Sequence, residues 1–250
     1  MGKVISIYIR KGGSGKTTTA INLASGLAKL GKKVLLVDMD SQYNATISLG
    51  VYEADKDIKT VLDGHSTVQD SIVEVAGFHL LPGSGELQNN EANAINDGFI
   101  LARIENMLEP IRNEYDYIII DTPPASHMLV YSALNASDAV LIPAQVHVLS
   151  VKGTRQALGM ISDVEKFTKR KVDLIGILPT MLQTHTNVGE LLLEQLKKLY
   201  GDKVLPFSIP MTVRVIESQS VGQPLLDYSP ESSASERYKE LAQFVINRYN

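Results

Sequence analysis

One stretch near the start constrains the fold more than any other: Arg10-Lys11-Gly12-Gly13-Ser14-Gly15-Lys16-Thr17-Thr18. It follows residues 3–9, apolar and β-branched on both faces, as a buried parallel strand requires. It precedes residues 16–30, where Ala20, Leu23, Ala24, Leu27 and Leu30 recur at helical spacing and Gly31 supplies the stop. Residues 33–38 then form a second apolar strand, so the opening is one right-handed β-α-β unit. The glycines let successive N–H groups converge on one point, where side chains would obstruct a phosphate. The helix that begins near Lys16 adds its positive end. In such a cradle, Gly12 to Thr18 wrap the phosphates of ATP. Lys16 would neutralise the β- and γ-phosphates, and the Thr17 hydroxyl would coordinate Mg²⁺.

Apolar strand patterns recur at 117–121, 139–143 and 174–178, with another predicted at 77–82. Helical stretches are predicted at about 99–113, 127–136, 150–168, 187–200 and 231–248, the last with Pro230 near its first turn. Residues 83–97 are polar and predict a loop with a short helix. The alternation predicts an α/β fold of the P-loop NTPase type: a mostly parallel, twisted sheet with helices on both faces. With no internal repeat or linker, residues 1–250 are expected to form a single domain. The chain has no cysteine, which rules out disulfides, thiolate metal sites and iron–sulfur clusters. Its five histidines show no metal-ligand spacing, and no run of apolar residues is long enough to span a bilayer. The formal net charge of −4 means that any nucleic-acid binding must come from a local basic patch.

The common phosphate-loop pattern opens with glycine six residues before its lysine. Here Arg10 holds that place and Lys11 comes next. This Lys-Gly-Gly-x-Gly-Lys-Thr form resembles the deviant Walker A motif of the ParA and MinD ATPase family. The resemblance covers nearly the whole chain. It implies that Lys11 reaches across an ATP-sandwich homodimer to the partner's phosphates, stabilising charge as an arginine finger does. Val34 to Thr46, with Asp38-Met39-Asp40-Ser41-Gln42-Tyr43-Asn44, resembles the family's second motif, with Ser41 in place of the usual proline. By that likeness Asp40 orients the attacking water and holds Mg²⁺ through water, while Asp38 supports the loop. Asp121, ending four apolar residues and preceding Thr122-Pro123-Pro124, resembles the Walker B carboxylate that holds the Mg²⁺ water shell. Pro210, in Ser208-Ile209-Pro210, resembles the loop that packs near adenine.

The nearest resemblance is to the small partition ATPases, whose P-loop strand comes first, with no helix-turn-helix extension before it. It implies ATP-dependent dimerisation, non-specific DNA binding, and release when a ParB-type centromere-binding partner triggers hydrolysis. A cytoplasmic, nucleoid-associated location is implied by the same likeness. Basic residues are needed for the DNA step. Lys166, Lys169, Arg170 and Lys171 form one cluster, and Lys197, Lys198 and Lys203 form another. Either cluster is equally a solvated helix terminus favoured by the dipole. Arg214 matches a basic position of the family, whereas His185 and Met211 stand where arginine is common. Two alternatives remain open: a MinD-like membrane-positioned ATPase, and a ParA-like positioner of a protein cargo. Residues 237–250 are only modestly basic, so no stable membrane association is expected.

Overall fold

The computed structural model describes residues 1–87, 102–124, 127–147, 150–183 and 186–249. The helix expected within 83–97, the start of the 99–113 stretch and His185 therefore fall wholly or partly outside the described residues.

Seven strands form one sheet in the order β3-β4-β2-β5-β1-β6-β7. They are β1 (Lys3–Ile7), β2 (Val34–Asp38), β3 (Val73–Val75), β4 (Phe78–Leu81), β5 (Tyr117–Asp121), β6 (Ala139–Gln145) and β7 (Asp173–Thr180). All neighbouring pairs are parallel except β3 with β4. The edge strand β3 escaped the sequence reading because it has three half-buried or exposed residues and a hairpin partner. The central strands are apolar on nearly every residue because helices cover both faces. In β1, Ile5 and Ile7 face the helix Lys16–Lys29 and the C-terminal helix Ser233–Tyr249. Val4 faces the opposite layer with Ile118 and Ile120, where the helices Arg103–Leu108 and His127–Ala136 pack. The helix Ser150–Thr168 extends that layer over β6.

The C-terminal helix starts at Ser233, and Ser232 caps it by accepting from the Ser235 N–H at 3.3 Å. Pro230 therefore lies before the first turn. This helix buries Tyr238, Leu241, Ala242, Val245 and Ile246. Its Tyr238 hydroxyl sits 3.4 Å from the Thr19 hydroxyl, and Asn22 Oδ1 accepts from the Leu225 N–H at 2.9 Å, so the phosphate-loop helix is gripped by the end of the chain.

A polar network closes the sheet's amino-terminal edge. The Asp138 carboxylate accepts from the Val4 N–H at 2.8 Å and from Arg112 at 2.5 and 2.6 Å. Arg170 joins it, bonded to Glu105 at 2.5 Å and lying 3.6 Å from Asp138.

Candidate active site

Because six strands run the same way, their carboxyl ends share one edge, where open α/β sheets bind ligands. That edge gathers the loop after β1, Asp38 and Asp40 after β2, Asp121 at the end of β5, Gln145 at the end of β6 and Thr180 at the end of β7. Asp121 is in register with both Ile7 and Asp38.

The loop takes its shape from Gly13 and Gly15, at φ +67° and +87°, where a side chain would be strained. It is fastened from two sides. The Ser14 hydroxyl donates to the Lys11 carbonyl at 3.0 Å, and the Thr180 hydroxyl donates to the Ser14 carbonyl at 2.8 Å. The helix Lys16–Lys29 has no side-chain cap and no acidic residue in its first turn, leaving its positive end for an anion.

Lys16 is buried, with its ammonium 3.5 Å from the Lys11 carbonyl. Burial lowers its pKa, opposed by the charges of Asp121 and Asp40. Asp38 is fully buried and acts as a brace. One oxygen accepts from the Asp40 N–H at 3.2 Å, and the other accepts from the N–H and hydroxyl of Thr46 at 2.9 and 2.7 Å. Burial raises its pKa, and those hydrogen bonds pull it back. Asp40 is 5% exposed and accepts from the Gln42 N–H at 3.0 Å. Lys11 bends back within its own chain and donates to Gln145 Oε1 at 2.8 Å.

Asp121 is the most telling group. It is completely buried, and among the described residues neither carboxylate oxygen makes a hydrogen bond of good geometry. Burial, then the charge of Asp38, drives its pKa well above the usual range; nearby Thr17 and Lys16 pull it down. A buried carboxylate of this kind, with the Lys16 charge nearby, is suited to holding a further cation. The neighbouring donors are hydroxyl and carboxylate oxygens, which suit Mg²⁺. No group of three or more His, Cys, Asp or Glu side chains that could hold a metal occurs among the described residues. Thr17 and Asp121 would hold Mg²⁺, with Asp40 beside them. Bound there, Mg²⁺ would neutralise charge on the β- and γ-phosphate oxygens.

A cleft of about 300 Å³ is lined by Gly12 to Thr18 together with Asp40, Gln42, Pro124, Met181 and Gln219. An apolar pocket of about 140 Å³ adjoins it, sharing Gly15, Thr18 and Met181 and walled by Ile209, Pro210 and Tyr238. Phosphates in the first and a flat base in the second match the two halves of a nucleotide. Sequence reading missed Thr180, Met181 and Tyr238; the end of β7 at Thr180 was the available signal for the first two.

The basic candidates separate. Residues 166–171 precede β7 and lie at its amino-terminal end, about 26 Å along an eight-residue strand from the phosphate loop. Lys166 is 3.9 Å from Asp163, and Arg170, one of the candidate DNA-binding residues, belongs to the Glu105–Asp138 network. Arg214 sits on the ligand-binding side, half exposed and 2.7 Å from Glu217. Met211 is exposed beside it.

A family model described as an AAA domain matches residues 2–174. The sporulation initiation inhibitor protein Soj of Bacillus subtilis is 39% identical, with 98% of each chain covered. The chromosome-partitioning ATPase Soj of Thermus thermophilus is 37% identical, covering 98% of this chain and 95% of its own. Among solved structures, a Mycobacterium smegmatis protein named cobyrinic acid a,c-diamide synthase, with bound ATP analog and magnesium, superimposes with a TM-score of 0.88. That structure is 28% identical and covers 100% of this chain and 96% of its own.

Proposed function

Since the chain belongs to the ParA/Soj partition ATPases of the ParA/MinD family, we propose that it is a nucleotide-switched DNA-partition motor. It is an ATPase that works with Mg²⁺. In the proposed cycle, ATP joins two copies across the phosphate loops, and Lys11 leaves Gln145 for the partner's phosphates. The dimer binds DNA non-specifically in the nucleoid, within the cytoplasm. A ParB-type centromere-binding protein then speeds hydrolysis, with Asp40 orienting water, and the dimer falls apart.

The supporting observation is the open face of the loop. Gly12 and Gly13 are exposed, and a Cβ added to either would meet no atom of the described residues within 4 Å, which supports approach of a second copy to the phosphates there. The membrane alternative needs a free amphipathic helix. The C-terminal helix instead packs its apolar face on the phosphate-loop helix, and no described helix is long and apolar enough to cross a membrane.

The test is binding of Asp40→Ala to random-sequence duplex DNA with ATP, ADP or no nucleotide, over a salt series. Binding that requires ATP and weakens steeply with salt is expected. Absence of binding at low salt would overturn the DNA step.

A further inference from the structure

The turn that carries Asp40 contains a backbone outlier. Tyr43 has φ +39° and ψ +39°, the left-handed region, which a bulky residue adopts only when its surroundings enforce it. Its N–H donates to the Asp40 carbonyl at 2.8 Å, and its own carbonyl accepts from the Ile47 N–H at 3.1 Å. The strained residue therefore joins Asp40 to the helix Asn44–Ser48.

What enforces it is the segment after β4. A Cβ placed on Gly83 would lie 2.9 Å from Tyr43 Cβ and 2.8 Å from Asp38 Cγ, so glycine lets this backbone approach both side chains. Gly85 lies against the Tyr43 ring, where an added Cβ would come within 3.4 Å. Gly83 is also tied to the brace: its N–H donates to the Thr46 hydroxyl at 2.8 Å, and that hydroxyl donates to Asp38.

We infer that Tyr43 is a positioning residue for Asp40, held in its strained turn by a strap formed by Gly83 and Gly85. Tyr43 does not line the cleft; through the bond from its N–H to the Asp40 carbonyl it fixes where Asp40 sits. The strap and the turn form one unit, so displacement of residues 83–87 would release Asp40. The inference rests on the Asp40 role proposed above.

Tyr43→Gly keeps the left-handed backbone without strain and removes the ring. It should turn over ATP about 10-fold more slowly, bind ATP within about two-fold of the parent, and show faster amide hydrogen exchange across residues 40–46 without nucleotide. Tyr43→Phe keeps the ring and should behave as the parent. Gly83→Ala should slow turnover by a similar factor, and the double variant should lose no more than either single one, as expected for one unit. A Tyr43→Gly chain whose exchange and turnover match the parent would overturn the inference. So would a lowered melting temperature with unchanged turnover, the mark of a purely structural residue. Asp40→Ala separates the two claims: normal hydrolysis there overturns the Asp40 role, whereas parent-like exchange in Tyr43→Gly overturns the Tyr43 inference alone.

Discussion

The Lys11 ammonium donates to Gln145 Oε1 at 2.8 Å, across 134 residues of sequence, and so engages the isolated chain's signature cation within its own subunit. For Lys11 to serve a partner, this bond must break, which sets a small threshold on dimerisation. A hydrogen bond to a charged group contributes about 1.5 kcal/mol or more. Gln145→Ala should therefore dimerise at roughly ten-fold lower ATP concentration, measured by light scattering or sedimentation. Lys11→Ala should fail to form the stable dimer at any ATP concentration.

Asp121 predicts an exchange of stability for function. Burial raises its pKa in the folded state above the ordinary 3.8, so the folded chain binds a proton more readily than the unfolded one. The nucleotide-free protein should gain stability from this group as pH falls from above the raised pKa toward 3.8, and lose it as pH rises. Asp121→Asn removes the cost of taking up a proton to bury this group. It should melt several degrees higher without ligand at neutral pH, at about 2–4 °C per kcal/mol, and show a flatter pH dependence between those limits. Its Mg²⁺-dependent ATP hydrolysis should be lost, as chelation of Mg²⁺ would do in the parent. Calorimetry across pH checks the first expectation and a phosphate-release assay the second.

Lys16 faces two carboxylates from within the cleft. Lys16→Ala leaves the phosphates without their cation and Asp40 and Asp121 without theirs. ATP affinity should drop by at least about 30-fold, since loss of a buried charge partner costs about 2–5 kcal/mol. Titration with a fluorescent ATP analogue measures it.

The separation of the basic residues can be tested on DNA. Arg214→Ala should weaken DNA binding of the ATP-bound dimer for all sequences alike. It should reduce the magnitude of the salt slope by about 2, one phosphate contact per subunit. Arg170→Ala should leave the salt slope unchanged and lower the melting temperature, because it breaks the Glu105–Asp138 network. A parallel loss of slope in both variants would place the contact surface elsewhere.

Much of the fold was legible from the chain because parallel strands under helices on both faces are written as uninterrupted apolar runs. The apolar runs read at 3–9, 33–38, 117–121 and 174–178 correspond to β1, β2, β5 and β7, whose carboxyl ends share the ligand edge; the roles of Asp40 and Asp121 there came from the family resemblance. Two kinds of feature stayed hidden. Contacts between distant segments leave no periodicity: Tyr238 walls the apolar pocket from 219 residues beyond Thr19. Charge in sequence also does not reveal whether a cation is free. Lys169, Arg170 and Lys171 form a basic run, yet Arg170 is engaged at the amino-terminal edge. Tyr43 was visible as a residue, but its left-handed backbone was not.

The grip of Tyr238 and Asn22 on the two ends of the chain also sets a schedule for synthesis. The helix Lys16–Lys29 leaves the ribosome more than 200 residues before the helix that covers its apolar side. At about 5–20 residues per second that interval is on the order of 10–40 s. Throughout it, the phosphate loop exists on a helix with one greasy flank still wet. A nascent chain of this protein should be a substrate for chaperones until the helix Ser233–Tyr249 is free, and competence to hold nucleotide should arrive last.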